Sequence, residues 1–175
     1  MNAFAQTVEG WHDFYHVIGD VAAALMGLLF VSLSLNADVI IKKANTDLRV
    51  LATQTFTSFI NVLMIAVIFL IPNQDPQGLG IPLLGIDCFG LYSTISRYLL
   101  VKHDLPRVWR TGGVARRFIM PTICFIVLLI IAISVSIGKT SGFYWLVPIL
   151  ILFLLDAIFN SWDLLLRLRE PSTEE

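Results

Sequence analysis

Two carboxylates stand where a carboxylate is expensive. Asp87 and Asp156 each interrupt a long apolar stretch, and Asn61 sits at the middle of a third. An ionisable group near the midpoint of a membrane-crossing helix costs about 2.5–3.5 kcal/mol on insertion scales, so such groups usually face a bundle interior or a wet cavity. Three polar groups at similar depth on three helices would form an inward layer around a shared site or pathway. With no basic neighbour at that depth, each acid either carries a proton or is balanced by a cation. The opposing reading makes each acid neutral and bonded to Ser, Thr or Asn of a neighbouring helix as interhelical glue.

Two stripes extend this layer. Gln54, Thr57 or Ser58, and Asn61 recur at helical spacing, and Asp156, Asn160 and Asp163 share a face at i, i+4 and i+7. Such stripes either wet a vestibule or bind neighbouring backbones. The expected pathway residues are Asp87, Asp156, Asn61, Gln54 and Asn160. Arg97 lies ten residues beyond Asp87, about 15 Å along a helix, too far to neutralise it. Its depth matches Asp163, which allows an Arg97–Asp163 ion pair. The preferred local alternative has Arg97 snorkelling to the interface and Asp163 pairing with Arg167 at i+4.

The elements that hold these residues follow from composition. The 175 residues are 57% hydrophobic and 14% charged, with a mean hydropathy of +0.79, beyond the range of ordinary globular domains. The formal net charge is −1, and nucleic acid is not an expected partner. Five segments, roughly 15–35, 50–72, 79–101, 118–138 and 143–166, approach or exceed the ~20 apolar residues that cross a bilayer. The expectation is an all-α integral membrane bundle of five transmembrane helices in one domain over 1–169, followed by a flexible tail at 170–175. Gly80, Pro82, Gly85 and Gly90 weaken the third segment, which is expected to be kinked and central.

Basic residues fall on one side. Lys42, Lys43 and Arg49 follow the first segment, Lys102, Arg107, Arg110, Arg116 and Arg117 follow the third, and Arg167 and Arg169 follow the fifth; the other side has Lys139. The positive-inside rule then places the N-terminus outside and the C-terminus in the cytoplasm. No Lys or Arg precedes Lys42, so the first segment is expected to be retained rather than cleaved as a signal. The basic loop around Trp109 is expected to attract anionic lipid headgroups.

Gly19, Ala23 and Gly27 repeat every four residues and offer a small-residue helix-packing face, inside the bundle or between subunits. His12, His16 and Asp20 share helical spacing but are read as interfacial polar residues, and no metal site or cofactor is expected. Cys88 and Cys124 form no C-x-x-C pair and are both expected to be buried thiols.

The run Asp13-Phe14-Tyr15-His16-Val17-Ile18-Gly19-Asp20, continued by the small and apolar residues Ala22 to Leu35, resembles the opening of small, uncharacterised bacterial multi-span inner-membrane proteins. The resemblance implies a bacterial inner membrane and no chemistry. The sequence alone thus leads to a small homo-oligomeric transport protein, a cation channel lined by the second, third and fifth segments. The alternative is a non-transporting scaffold or sensor that engages a cytosolic partner or anionic lipid through its basic loop. An enzyme is not expected, because no nucleophile–base set, paired-His motif or vicinal redox cysteines are present.

Overall fold

The computed structural model describes residues 3–36, 46–101 and 119–169, with side chains over 3–36, 51–99 and 119–166. Six helices and no strands make up these residues: α1 (Ala3–Glu9), α2 (His12–Leu35), α3 (Thr46–Phe69), α4 (Pro76–Val101), α5 (Met120–Ser136) and α6 (Phe143–Arg169). Four helices, α2, α3, α4 and α6, are long and apolar enough to cross a membrane; α5 is apolar but has 17 residues, about 25 Å of rise against a ~30 Å hydrocarbon core. The basic side chains expected to orient the chain (Lys42, Lys43, Arg49, Lys102, Arg107, Arg110, Arg116, Arg117, Arg167, Arg169), with the tail 170–175, lie outside the described side chains.

Local chemistry explains where the helices turn. Asn73 adopts φ 55°, a left-handed conformation that Asn tolerates better than most residues. Beside it, Gln74 Nε2 donates to the Ile68 carbonyl at 2.6 Å, giving a partner to a backbone group near the end of α3. Asp75 then accepts from the Gly78 backbone N–H at 2.9 Å, an N-cap with Pro76 at the first helical position, where its missing N–H costs nothing. At the end of α5, Gly138 takes φ 88° while its N–H bonds Val135 O at 2.8 Å and the Lys139 N–H bonds Ser134 O at 3.1 Å. This is the two-bond Schellman stop, which favours glycine at that position. The two turns make α3–α4 and α5–α6 antiparallel hairpins.

The hairpins close into a ring. α3 packs against α4 and α6, α5 packs against α4 and α6, and α2 lies on the outer side of α3. α4 runs unbroken through Pro82, and two of its glycines are contact points rather than weak points. A Cβ at Gly80 would meet the Ser136 side chain and come within 2.8 Å of its Cα, and one at Gly90 would run into the Phe125 ring. Gly80→Val is therefore expected to force α4 and α5 apart and to destabilise the bundle by about 1–3 kcal/mol. Denaturant unfolding in detergent measures this, and wild-type stability would show that the seam can relax.

Aromatic rings fill the end that carries the short turns. Tyr15 stacks on Phe69 with centroids 4.0 Å apart, Phe69 meets Phe143 edge-on at 5.3 Å, and Phe4 of α1 packs on Phe143 at 5.9 Å. The Tyr15 hydroxyl is buried and has no hydrogen-bond partner. An orphan hydroxyl costs about 1–3 kcal/mol, so Tyr15→Phe is expected to raise the melting temperature. A lower one would mean that the hydroxyl has a partner in the working protein.

The outward faces are apolar. Val17, Leu28, Phe30, Ile81, Phe89, Tyr92, Ile130 and Tyr144 are all well exposed, far more large hydrophobic surface than a water-soluble monomer normally presents. Cys88 is exposed while Cys124 is buried, which corrects the expectation of two buried thiols. One residue beyond Asp87, Cys88 is turned about 100° around α4, from the inner face to the outer one.

Candidate functional site

The polar residues of α3, α4 and α6 collect inside the ring. Gln54, Thr55, Ser58 and Asn61 of α3, Asp87 of α4, and Asp156 and Asn160 of α6 are all buried. Their positions divide the apolar core. One large cluster takes α3 from Val62 to Phe69 and α6 from Phe143 to Phe153; a smaller one holds Leu29, Leu51, Phe59, Ala157 and Leu164. On α6, Asp156 lies at the boundary between these clusters, and Asn61 does so on α3. All five residues expected to line a pathway are thus placed in the interior of one chain.

The hydrogen bonds separate the members. Thr55 turns its hydroxyl back to the Leu51 carbonyl at 2.8 Å, which satisfies it within its own helix. Asn160 Nδ2 donates to Asp156 Oδ2 at 3.0 Å, joining the two α6 residues one turn apart, while Asn160 Oδ1 accepts nothing. Asp156 also lies near enough to the Cys124 thiol of α5 to act on it electrostatically. Asp87 differs from the rest. It has no solvent exposure, and neither of its carboxylate oxygens has a hydrogen-bond partner. Most buried polar groups in folded proteins are bonded, and for a carboxylate the exception is costly.

The packing also fixes how the two acids stand to each other. Gly90 of α4 lies under the Phe125 ring, and that ring lies 5.0 Å from Phe153 of α6, tilted by 53°. α4 and α6 both run away from the short-turn end. Asp87 comes three residues before Gly90 and Asp156 three residues after Phe153, each about 4.5 Å along its helix. Counted from that contact, Asp87 lies toward the short-turn end of the Phe125–Phe153 pair and Asp156 lies away from it.

Arg97 reaches hydroxyls. Its Nη2 donates to Thr57 Oγ1 of α3 at 2.7 Å and also to Ser93 Oγ one turn back on α4. The guanidinium thereby ties α4 to α3 on the far side of the site from the aromatic end. Sequence spacing had offered Asp163 or the interface as its destination; Thr57 was legible as a polar position on α3 but not as this partner.

The small-residue face divides. Gly19 is buried, and a Cβ there would lie 3.1 Å from Ala66 Cβ of α3, whereas Ala23 and Gly27 are exposed and Gly27 has open space around it. A spacing of four residues drifts by about 40° per step on a helix of 3.6 residues per turn. The buried stripe of α2 instead runs through Tyr15, Ile18, Gly19, Ala22 and Leu29. Among the described residues no group of three or more His, Cys, Asp or Glu side chains could hold a metal ion. His16 and Asp20 are exposed.

No known protein family matches this chain, and no curated protein or solved structure matches it.

Proposed function

We propose that the protein is a cation-transporting membrane protein whose pathway runs through the helical ring, with Asp87 as its central group. The observation that carries this reading is the Asp87 carboxylate, fully buried and unbonded at both oxygens. Acidic glue between helices needs a partner to hold, and this acid holds none. A permanently bare negative charge in that position would cost several kcal/mol, so the group is expected to bind something positive and to release it. Asn61, Gln54, Asp156 and Asn160 continue the polar surface from Asp87 along α3 and α6.

In this reading the chain crosses a bacterial inner membrane five times, α5 included, with its N-terminus outside and its C-terminus in the cytoplasm. The apolar outward faces support lipid as the surrounding solvent. Exposed Trp145 and Tyr144 at the short-turn end fit an interfacial aromatic belt. The polar residues meet within one chain, so self-association is not required to assemble them; the exposed Ala23–Gly27 face is the place for a homo-oligomeric contact.

Ion flux in liposomes containing the purified protein tests the reading. Proton, sodium, potassium and chloride movements are compared for wild type, Asp87→Asn and Asp156→Asn. Cation flux that either substitution abolishes is the expected result. Chloride flux indifferent to both, or no flux from folded protein, would overturn it, and the second outcome would favour the scaffold or sensor.

A further inference from the structure

We infer that the species bound at Asp87 is a proton rather than a metal cation. The inference rests on the transport reading and narrows its substrate. Hard cations replace their hydration shell with several oxygen ligands at once. Neither carboxylate oxygen of Asp87 has a hydrogen-bond partner, and the described residues offer no cluster of three His, Cys, Asp or Glu side chains. The neighbours along its face of α4 are Leu83, which is buried, and Gly90, which is covered by the Phe125 ring. A lone carboxylate in such surroundings supplies at most two oxygens.

The charged neighbours point the same way. α4 packs against α3 and α5. α3 carries no titratable side chain between Leu51 and Phe69, and α5 carries only Cys124. On α4 itself the remaining titratable groups are Cys88, Tyr92, Arg97 and Tyr98, and Arg97 is engaged with Thr57 and Ser93. Among the described residues no fixed cation therefore balances Asp87 from either helix packed against it. A proton does so without needing further ligands. Binding forms one O–H bond on a carboxylate oxygen, release returns the proton to water, and no other reactant is needed.

The stagger of the two acids gives the inference a mechanical side. Neither Asp87 oxygen has a hydrogen-bond partner, so the two acids are not directly bonded to each other. The Phe125–Phe153 pair lies between their depths, so a proton moving from one acid to the other has to pass that level.

The experiment joins flux to infrared spectroscopy on the full chain. Liposomes are loaded with a pH-sensitive dye, tracer sodium and tracer potassium are followed in parallel, and difference spectra are taken between wild type and Asp87→Asn, with Asp87→Leu as a second variant. The expected result is proton flux without alkali-cation flux, reduced in both variants to that of empty liposomes. The carbonyl band of a protonated carboxylic acid should appear in wild type and be missing from both variants. Sodium or potassium flux lost in Asp87→Asn would overturn the proton assignment while leaving transport standing. So would a carboxylate band in place of the acid band. A protein that moves no ion yet shows the acid band would keep the proton at Asp87 and end the transport reading.

Discussion

Leucine at position 87 is expected to yield a protein more stable than wild type by about 1–3 kcal/mol, the range for relieving a buried polar group of its missing partner. Asp87 is fully buried with both oxygens unbonded, and Leu is somewhat larger but fits the chemistry of its apolar neighbours, so the change removes a desolvation cost and breaks no hydrogen bond. The same variant should transport nothing. Stability gained where activity is lost marks a residue kept for function. Denaturant unfolding in detergent micelles, run beside the flux assay, measures both. Should Asp87→Leu unfold more easily than wild type, the carboxylate would have a structural partner, and the glue reading would replace the transport one.

The second large effect is expected at Phe125. Its ring fills the space between Gly90 and Phe153, and Phe125→Ala would leave a hole where α4, α5 and α6 converge. The cost should be about 3 kcal/mol, the lower end of the range for soluble proteins, because what is lost in a bilayer is packing rather than transfer from water. Proton movement should rise in the same variant, since the barrier between the depths of Asp87 and Asp156 has gone. Phe125→Leu, which keeps much of the volume, should be intermediate on both measurements. A destabilised Phe125→Ala protein whose flux equals that of wild type would mean that protons take another course.

Much of this architecture was legible from composition. Apolar runs long enough to cross a bilayer announced α2, α3 and α6, and the burial of Gln54, Asn61, Asp87, Asp156 and Asn160 followed from the cost of exposing such groups to hydrocarbon. Other features depend on register, which a single sequence does not encode. Similar depths for Asp87 and Asp156 follow from counting along separate segments; their placement on opposite sides of the Phe125–Phe153 pair emerges only once Gly90, Phe125 and Phe153 are in contact. Gly80 and Gly90 read as helix weakeners because propensity describes an isolated helix, whereas here they let α5 approach. The helix α1 is not legible in the sequence because seven residues show too little periodicity, and it is held by the Phe4–Phe143 contact. Arg97 found Thr57 and Ser93 because hydroxyls suffice as acceptors for a guanidinium, and their positions across two helices follow no spacing rule.

The unequal exposure of the two cysteines gives the protein a built-in reporter. Cys88 faces outward beside Asp87, while Cys124 is enclosed, so a thiol-directed nitroxide applied to folded protein in detergent should attach at position 88 and leave position 124 unmodified. After transfer to a bilayer, quenching by lipid-soluble and water-soluble relaxants would read the depth of that label. Because the label sits one residue from the carboxylate, the same spectrum would locate Asp87 against the membrane midplane without any substitution in the chain.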